Sequence, residues 1–348
     1  MMNKKKQIGN GIFLAAVFLI TLYSIFHGQD MGELLAYIST AETGYWLAAV
    51  LCVILFIGSE SVIIYYMMRT IRQKVRLLHC FLYSFVGFFF SCITPSATGG
   101  QPAQIYYMHK DDIPIPISTL VLMIVTITYK LVLVVLGTAV FLFRPAMIIE
   151  YLQPVAGWCY LGLGLNVFCV IFMLVLVFHP TLAEQILQNL LKAGSRLHLI
   201  HKEAYYREKI KHTMEQYRDV AAYFGTHKMV VGNVFLITIV QRFFLFFVTY
   251  LVYRSFGLEG TGMLTMVILQ GMISVAVDML PLPGGMGISE KLFLVLFLPV
   301  FGSVTLPGMM VSRGLGYYTE LIVSALLTIV AHVVIGRTKG GNANDRIL

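Results

Sequence analysis

Charged residues are scarce in this chain of 348 residues. Only 12% are Asp, Glu, Lys or Arg, against about 25% in soluble domains, and 58% are hydrophobic. A composition this poor in charge excludes an ordinary soluble domain and predicts an integral membrane protein. The net charge of +8 comes from Lys and Arg in loops between apolar runs, which is typical of cytoplasmic loops and does not favour a nucleic-acid partner.

Motifs for soluble-type chemistry are also missing. The five cysteines form no CxxC pair, which argues against a zinc site or a disulfide framework and favours small buried apolar residues. The sequence has no Walker A motif, dinucleotide fingerprint, nucleophile elbow or HExxH. We therefore expect no catalytic residues of these kinds, no cofactor and no metal. No small-x-small cleavage site follows the first apolar run, which predicts a retained first span rather than a signal peptide.

Apolar runs long enough to cross a bilayer define the expected spans. They are 10–27, 44–68, 117–143, 156–178, 229–252 and 306–336. Two further apolar regions, 80–108 and 262–303, are interrupted in the middle by Pro and Gly. Residues 69–79 and 179–228 are basic, whereas 28–43 contains acids without Lys or Arg. This charge pattern predicts that 80–108 enters and leaves on the cytoplasmic side, and that 262–303 does so on the outer side.

The predicted fold is all-α, with about six full spans plus two oppositely oriented re-entrant helical hairpins in an inverted repeat. We expect one polytopic membrane domain over 1–348 with both termini cytoplasmic. Residues 44–143 form the first repeat and 229–336 the second, and 179–228 form a cytoplasmic amphipathic connector. Inverted repeats with broken helices are typical of transporters, whose binding sites lie where corresponding helices are interrupted.

Each interrupted region contains a Gly-Gly pair after proline. The first reads TPSATGGQPAQ (94–104) and the second PLPGGMGISEK (281–291). Irregular backbone at membrane depth is tolerated only where protein or a wet cavity satisfies its polar groups. A helix is predicted to begin after each pair, where free N–H groups and the helix dipole favour an anion such as phosphate. Glycine would let that anion approach the backbone closely.

Ionisable side chains inside the apolar regions cluster around these two motifs. They are Glu60, Lys130, Arg242, Asp278, Glu290, Lys291, Arg313 and Glu320. Such residues either pair with one another to hold helices together or line a polar path, and their clustering favours a shared polar chamber. The candidate headgroup-binding residues are Thr98, Gly99, Gly100, Gln101, Gln104, Lys130, Arg242, Asp278, Gly284, Gly285, Ser289, Glu290 and Arg313.

The segments TPSATGGQPAQIYYM (94–108) and LPLPGGMGISEK (280–291), with the spans between them, resemble a known family. It is the transmembrane flippase region of the lysylphosphatidylglycerol synthase family, also called multiple peptide resistance factor. The resemblance covers nearly the whole chain. In full-type members it implies that the membrane region moves aminoacylated phosphatidylglycerol from the inner to the outer leaflet, while a separate cytoplasmic domain attaches lysine to the lipid. Because the chain ends twelve residues past Gly336, we expect no such acyltransferase domain.

The resemblance and the residues together favour a phospholipid translocase over an enzyme. The expected substrate is a phosphatidylglycerol-type lipid such as lysyl-phosphatidylglycerol in a bacterial cell membrane, with resistance to cationic antimicrobial peptides as the consequence. Without an ATPase motif, transport would be passive or driven by an ion gradient or the membrane potential.

One alternative is a membrane-embedded lipid transferase, such as a phosphatidylglycerol lysyltransferase, with Glu290 or Asp278 as general base. Another is a membrane partner subunit that docks a separate synthase through the 179–228 connector. The chain could form a homo-oligomer in any of these functions.

Overall fold

The computed structural model of the chain describes residues 38–196 and 203–335, together with Gly32 and Ala36. Within these residues the secondary structure is helical and no strand occurs. The α-helices are α1 (Thr43–Thr70), α2 (Leu77–Ile93), α3 (Gly100–Lys110), α4 (Ile115–Phe143), α5 (Ala146–Leu152), α6 (Ala156–Phe178), α7 (Pro180–Arg196), α8 (Glu203–Thr226), α9 (Lys228–Ser255), α10 (Met263–Val277), α11 (Ile288–Phe301), α12 (Thr305–Arg313) and α13 (Thr319–Val334).

The prediction of an all-α, multi-pass membrane protein is confirmed. Five helical segments of the described chain are long and apolar enough to cross a membrane. They are Thr43–Thr70, Ile115–Phe143, Ala146–Phe178, Lys228–Ser255 and Pro283–Val334. The predicted runs 44–68, 117–143, 156–178 and 229–252 each lie within one of these segments. The predicted first span, 10–27, lies outside the described residues.

Both Pro- and Gly-interrupted regions are pairs of helices joined by a short 3₁₀ turn. The turn Pro95–Ala97, called here the first tip, separates α2 from α3. The turn Pro283–Gly285, called the second tip, lies between α10 and α11. The two helices of each pair pack against each other, and the two tips are in contact. The chain therefore brings its two Gly-Gly motifs together, although they are separated by more than half of its length.

The run 306–336 differs from the single uninterrupted span that the sequence predicts. A π-helical turn at Gly314–Tyr318 separates α12 from α13. Pro307, near the start of α12, also lacks the N–H that a continuous helix would use. Single π turns inside α-helices widen the helix locally and occur frequently at functional sites. This turn follows Arg313 directly, so it shapes the surroundings of a predicted site residue.

The helices pack around buried apolar clusters. Helix α1 packs along α9, and α13 packs along α2, so each of these contacts joins the two halves of the chain. Helix α6 approaches α10 closely at Gly162, where an added Cβ would lie 2.6 Å from the Cα of Ala276. The outer face of α6 is exposed and apolar, as a lipid-facing surface would be. The predicted connector, 179–228, contains α7 and α8, which pack on each other.

Candidate functional site

The first tip is held by its own hydrogen bonds and contacts the second tip. Ser96 and Ala97 have positive φ angles of 49° and 54°, which reverse the chain within three residues. The N–H of Gly99 donates to Oγ1 of Thr94 at 2.9 Å. The hydroxyl of Ser96 donates to the carbonyl oxygen of Leu280 at 3.1 Å, close to the second tip. Polar groups of this irregular turn are therefore satisfied partly within the tip and partly across the tip contact.

Packing between α2 and α3 explains the glycines of the first motif. A Cβ at Gly100 would lie 2.7 Å from the carbonyl oxygen of Gly87 and would overlap Oγ of Ser91. A Cβ at Gly99 would lie 2.7 Å from Cγ2 of Thr94. Real Cβ atoms do not approach backbone oxygen this closely, so the helix pair needs glycine here. The structure thus gives Gly99 and Gly100 a packing role, and the anion-binding role of their backbone stays a prediction.

The polar side chains of the first motif point to three different neighbours. Oγ1 of Thr98 donates to a carbonyl of the first tip itself at 2.9 Å. Nε2 of Gln101 donates to Oγ1 of Thr126 on α4. Nε2 of Gln104 donates to Oε1 of Glu60 on α1 at 2.7 Å. These contacts anchor α3 to both flanking helices, and one of them engages Glu60, an ionisable residue of the predicted cluster.

The second motif needs glycine because of its backbone conformation. Gly284, Gly285 and Gly287 have φ angles of +56°, +66° and +85°, in the region that L side chains rarely adopt. The N–H of Gly287 donates to Oε2 of Glu290 at 2.6 Å, which caps the start of α11. Ser289 is buried in the first turn of the same helix. The second motif thus forms a turn and a helix start, as predicted.

Four of the predicted intramembrane charges form two ion pairs. Nε of Arg313 lies 2.7 Å from Oε1 of Glu290, and Nη2 of Arg313 donates to the carbonyl oxygen of Gly284 at 3.1 Å. Nζ of Lys130 lies 2.5 Å from Oδ2 of Asp278. Each pair ties the second broken helix to a flanking helix, α12 or α4. The pairing that the sequence analysis considered for such charges is therefore present for these four residues.

Arg242 differs from the other predicted cations. Its guanidinium carbon lies 4.4 Å from the ring centre of Tyr129 and 5.2 Å from that of Phe56. Its Nε is buried and has no hydrogen-bond partner among the described residues. It interacts electrostatically with Glu60 and Glu320, with no acid of the described chain close enough for an ion pair. The positive charge is therefore held by aromatic faces and by the field of two more distant acids.

A cavity of about 170 Å³ lies beside the second tip. Gly284, Ser289 and Arg313, all predicted site residues, line it together with Glu320 and Tyr317. Its remaining polar lining is Thr249, Gln270, Ser274 and Ser312. Lys130, Arg242, Asp278 and the candidate residues of the first motif are not part of this lining. Of the predicted headgroup-binding residues, only Gly284, Ser289 and Arg313 therefore line this cavity.

Sequence reasoning missed several residues of this cavity. Oγ1 of Thr249 contacts Oγ of Ser312 at 3.1 Å and donates to Oε1 of Gln270 at 3.1 Å, which links α9, α10 and α12. Isolated hydroxyl and amide side chains in apolar helices carry no spacing signal, so only the fold reveals that they meet. Tyr317 is also missing from the prediction, because a tyrosine near a span end is typical of interfacial anchors and does not mark a site. Its hydroxyl donates to the carbonyl oxygen of Cys92 at 2.9 Å, next to the first tip.

A family model described as the lysylphosphatidylglycerol synthase TM region matches residues 8–324, which include both tips and the cavity. No curated protein matches the chain. The match covers far more than half of the sequence and confirms the resemblance on which the sequence analysis relied.

Proposed function

The chain belongs to the lysylphosphatidylglycerol synthase TM-region family, and we propose that it translocates phosphatidylglycerol-type lipids between membrane leaflets. Membership in this family associates the chain with lysyl-phosphatidylglycerol metabolism in a membrane. The proposed cargo is lysyl-phosphatidylglycerol, moved from the inner to the outer leaflet. A cationic lipid on the outer surface would weaken the attraction of cationic antimicrobial peptides.

One observation carries the proposal. Two broken helices meet tip to tip, and beside their contact lies a polar cavity into which Arg313 and Glu320 project from α12 and α13. A lysylated phosphodiester headgroup combines a negative phosphate with positive amino groups, so a site with both an arginine and a carboxylate complements it. Apolar proteins rarely keep such charges unless a substrate pathway needs them.

The size of the cavity fits a headgroup whose acyl chains stay outside. At about 170 Å³ it is smaller than the roughly 300–1,000 Å³ of ordinary ligand pockets, which enclose whole molecules. A phospholipid could place part of its headgroup there only while its two chains remain in the surrounding lipid. This arrangement avoids moving acyl chains through the protein and leaves the polar headgroup as the part that needs a path.

The order of helices supports alternating access as the mechanism. A long helix, a broken helix pair and a further long apolar segment occur twice, as α1 to α4 and as α9 to α13. In the proposed topology the two halves are inverted repeats, and both broken pairs are re-entrant hairpins that enter from opposite sides. Rocking of one half against the other around the tip contact would open the cavity to each leaflet in turn.

The first test is leaflet exchange in proteoliposomes that carry fluorescent phosphatidylglycerol or its lysyl form. With wild-type protein, a membrane-impermeant quencher should remove the protected fluorescence of the inner leaflet. Arg313→Ala should slow this loss at least about tenfold, because a charge-assisted hydrogen bond contributes roughly 1.5–3 kcal/mol. Arg254→Ala is the matched control, since Arg254 pairs with Glu259 at the exposed end of α9. It should exchange lipid at the wild-type rate.

A second variant separates transport from folding. In Arg313→Ala the Glu290 carboxylate loses its ion-pair partner, so reduced activity could reflect damage to the structure. Glu290→Gln combined with Arg313→Gln removes both charges and leaves neither buried alone. If this double variant folds and exchanges lipid at the wild-type rate, Arg313 lies outside the lipid path. Wild-type exchange no faster than in protein-free liposomes, for both lipids, would contradict the proposed function.

A further inference from the structure

A second polar cavity lies at the base of the first broken helix pair, distant in sequence from the second tip. Its volume is about 270 Å³, and its lining residues are Lys74, Val75, Arg76, His79, Tyr83, Asp111 and Ile113. These belong to the loop between α1 and α2, the first turns of α2, and the segment that follows α3. We call this cavity the base pocket. None of its residues is among the predicted headgroup-binding set or lines the cavity beside the second tip.

The acid in the base pocket is already engaged by two donors. Nδ1 of His79 lies 2.6 Å from Oδ2 of Asp111, and the hydroxyl of Tyr83 donates to the same oxygen. The side chains of His79 and Asp111 are 22% and 15% exposed, and Tyr83 is fully buried. This cluster fixes the wall of the pocket by tying α2 to the end of α3. It also directs the carboxylate toward His79 and Tyr83.

Two cations at the rim remain without an acid. Lys74 and Arg76 are exposed, and neither forms an ion pair within the part of the chain that the structure describes. With one acid and two permanent cations, the pocket has a net positive charge even when His79 is neutral. The start of α2, with Arg76 at its N-cap position, adds the positive end of a helix dipole. A lysine and an arginine around a cavity suit the non-bridging oxygens of a phosphate group.

The pocket lies where apolar helices end, which favours a ligand anchored in the membrane. Helix α1 ends at Thr70 and α2 begins at Leu77, so the loop between them lies at the level of lipid headgroups in a membrane-embedded chain. Leu77 and Leu78, directly after the basic loop, are 40% and 67% exposed. A lipid with its phosphate at Lys74 and Arg76 could cover these leucines with its acyl chains. Loop charge also predicts that this side is cytoplasmic, where anionic lipids attract basic segments.

We propose that the base pocket binds the phosphate group of a membrane phospholipid, through Lys74 and Arg76, with acyl chains against Leu77 and Leu78. The site is separate from the cavity beside the second tip, and its occupancy does not rest on translocation. Because α2 leads from this pocket to the first tip, a lipid bound here would stand at the base of the broken helix pair whose tip contacts the second tip.

The test uses the full chain in phosphatidylcholine nanodiscs that contain phosphatidylglycerol with a photoreactive acyl chain. After irradiation, labelled peptides that contain residues 71–83 are quantified by mass spectrometry. Lys74→Gln combined with Arg76→Gln should lower this labelling about tenfold, in line with the attraction that two basic side chains add near anionic lipid. Arg69→Gln combined with Arg72→Gln removes the same charge from the same region, but neither arginine lines the pocket, so labelling should fall much less than in the Lys74 and Arg76 variant.

Three outcomes decide the proposal. A selective loss in the Lys74 and Arg76 variant supports it. An equal loss in the Arg69 and Arg72 variant would mean diffuse attraction to the basic surface and would overturn it. Labelling that is absent from the wild type, together with binding of free glycerol phosphate at the same residues, would assign the pocket to a soluble phosphate ester and also overturn it. Labelling is read at equilibrium without leaflet exchange, so failure here and failure of the translocase proposal are distinguishable.

Discussion

Replacing Lys130 by methionine is expected to lower the free energy of unfolding by about 3–5 kcal/mol, because Asp278 would keep a buried charge without its partner. The Nζ–Oδ2 distance is 2.5 Å, and the two side chains are only 7% and 18% exposed. A titration with SDS, monitored by helical circular dichroism, measures the change. The same pair joins α4 to the end of α10, so lipid exchange should fall with stability.

An exposed ion pair provides the control. Nη2 of Arg254 lies 3.1 Å from Oε1 of Glu259, and the Glu259 side chain is 76% exposed. Arg254→Met should leave the free energy of unfolding nearly unchanged, because water stabilises the remaining carboxylate. Lys130→Met combined with Asp278→Asn should recover most of the stability lost in the single variant, since no unpaired charge remains buried. Equal losses for Lys130→Met and Arg254→Met would mean that water reaches the Lys130–Asp278 pair.

Local features of the fold could be predicted from the sequence because they depend on short segments. Long apolar runs predicted the positions of α1, α4, α6 and α9. Proline with Gly-Gly predicted where the two broken helix pairs are interrupted. A bilayer requires about 20 apolar residues per span, so hydropathy alone places such helices well. The interruption at Gly314–Tyr318 could not be placed this way, because a π turn leaves the apolar run continuous.

Long-range pairing was beyond sequence reasoning. Intramembrane charges were recognised, but which acid meets which base depends on how helix faces meet. Lys130 and Asp278 are 148 positions apart, and nothing in their neighbourhoods in sequence connects them. Gly100 shows a related difficulty. Nothing in the sequence indicated that its missing side chain also lets α3 pack closely against Gly87 and Ser91.

Gly284→Ala is expected to cause the largest loss of lipid exchange among changes at the tips. Two separate effects act at this position. The φ angle of +56° costs an alanine roughly 1–2 kcal/mol, because its Cβ crowds the backbone in the left-handed region. The added Cβ would also lie 2.7 Å from Cζ of Tyr317, so the ring must move. The hydroxyl of that ring bonds the carbonyl oxygen of Cys92 next to the first tip.

A double-mutant cycle separates the two effects. In Tyr317→Ala the ring is gone, so adding Gly284→Ala should cost only the backbone strain of roughly 1–2 kcal/mol. In the wild-type background the same change should cost more, and the difference measures the steric conflict with Tyr317. Exchange should be lost in Gly284→Ala even where the protein remains folded, because Arg313 donates to the carbonyl oxygen of Gly284 and would be displaced with it. Wild-type exchange in folded Gly284→Ala would show that the second tip and Arg313 need not hold this geometry for transport.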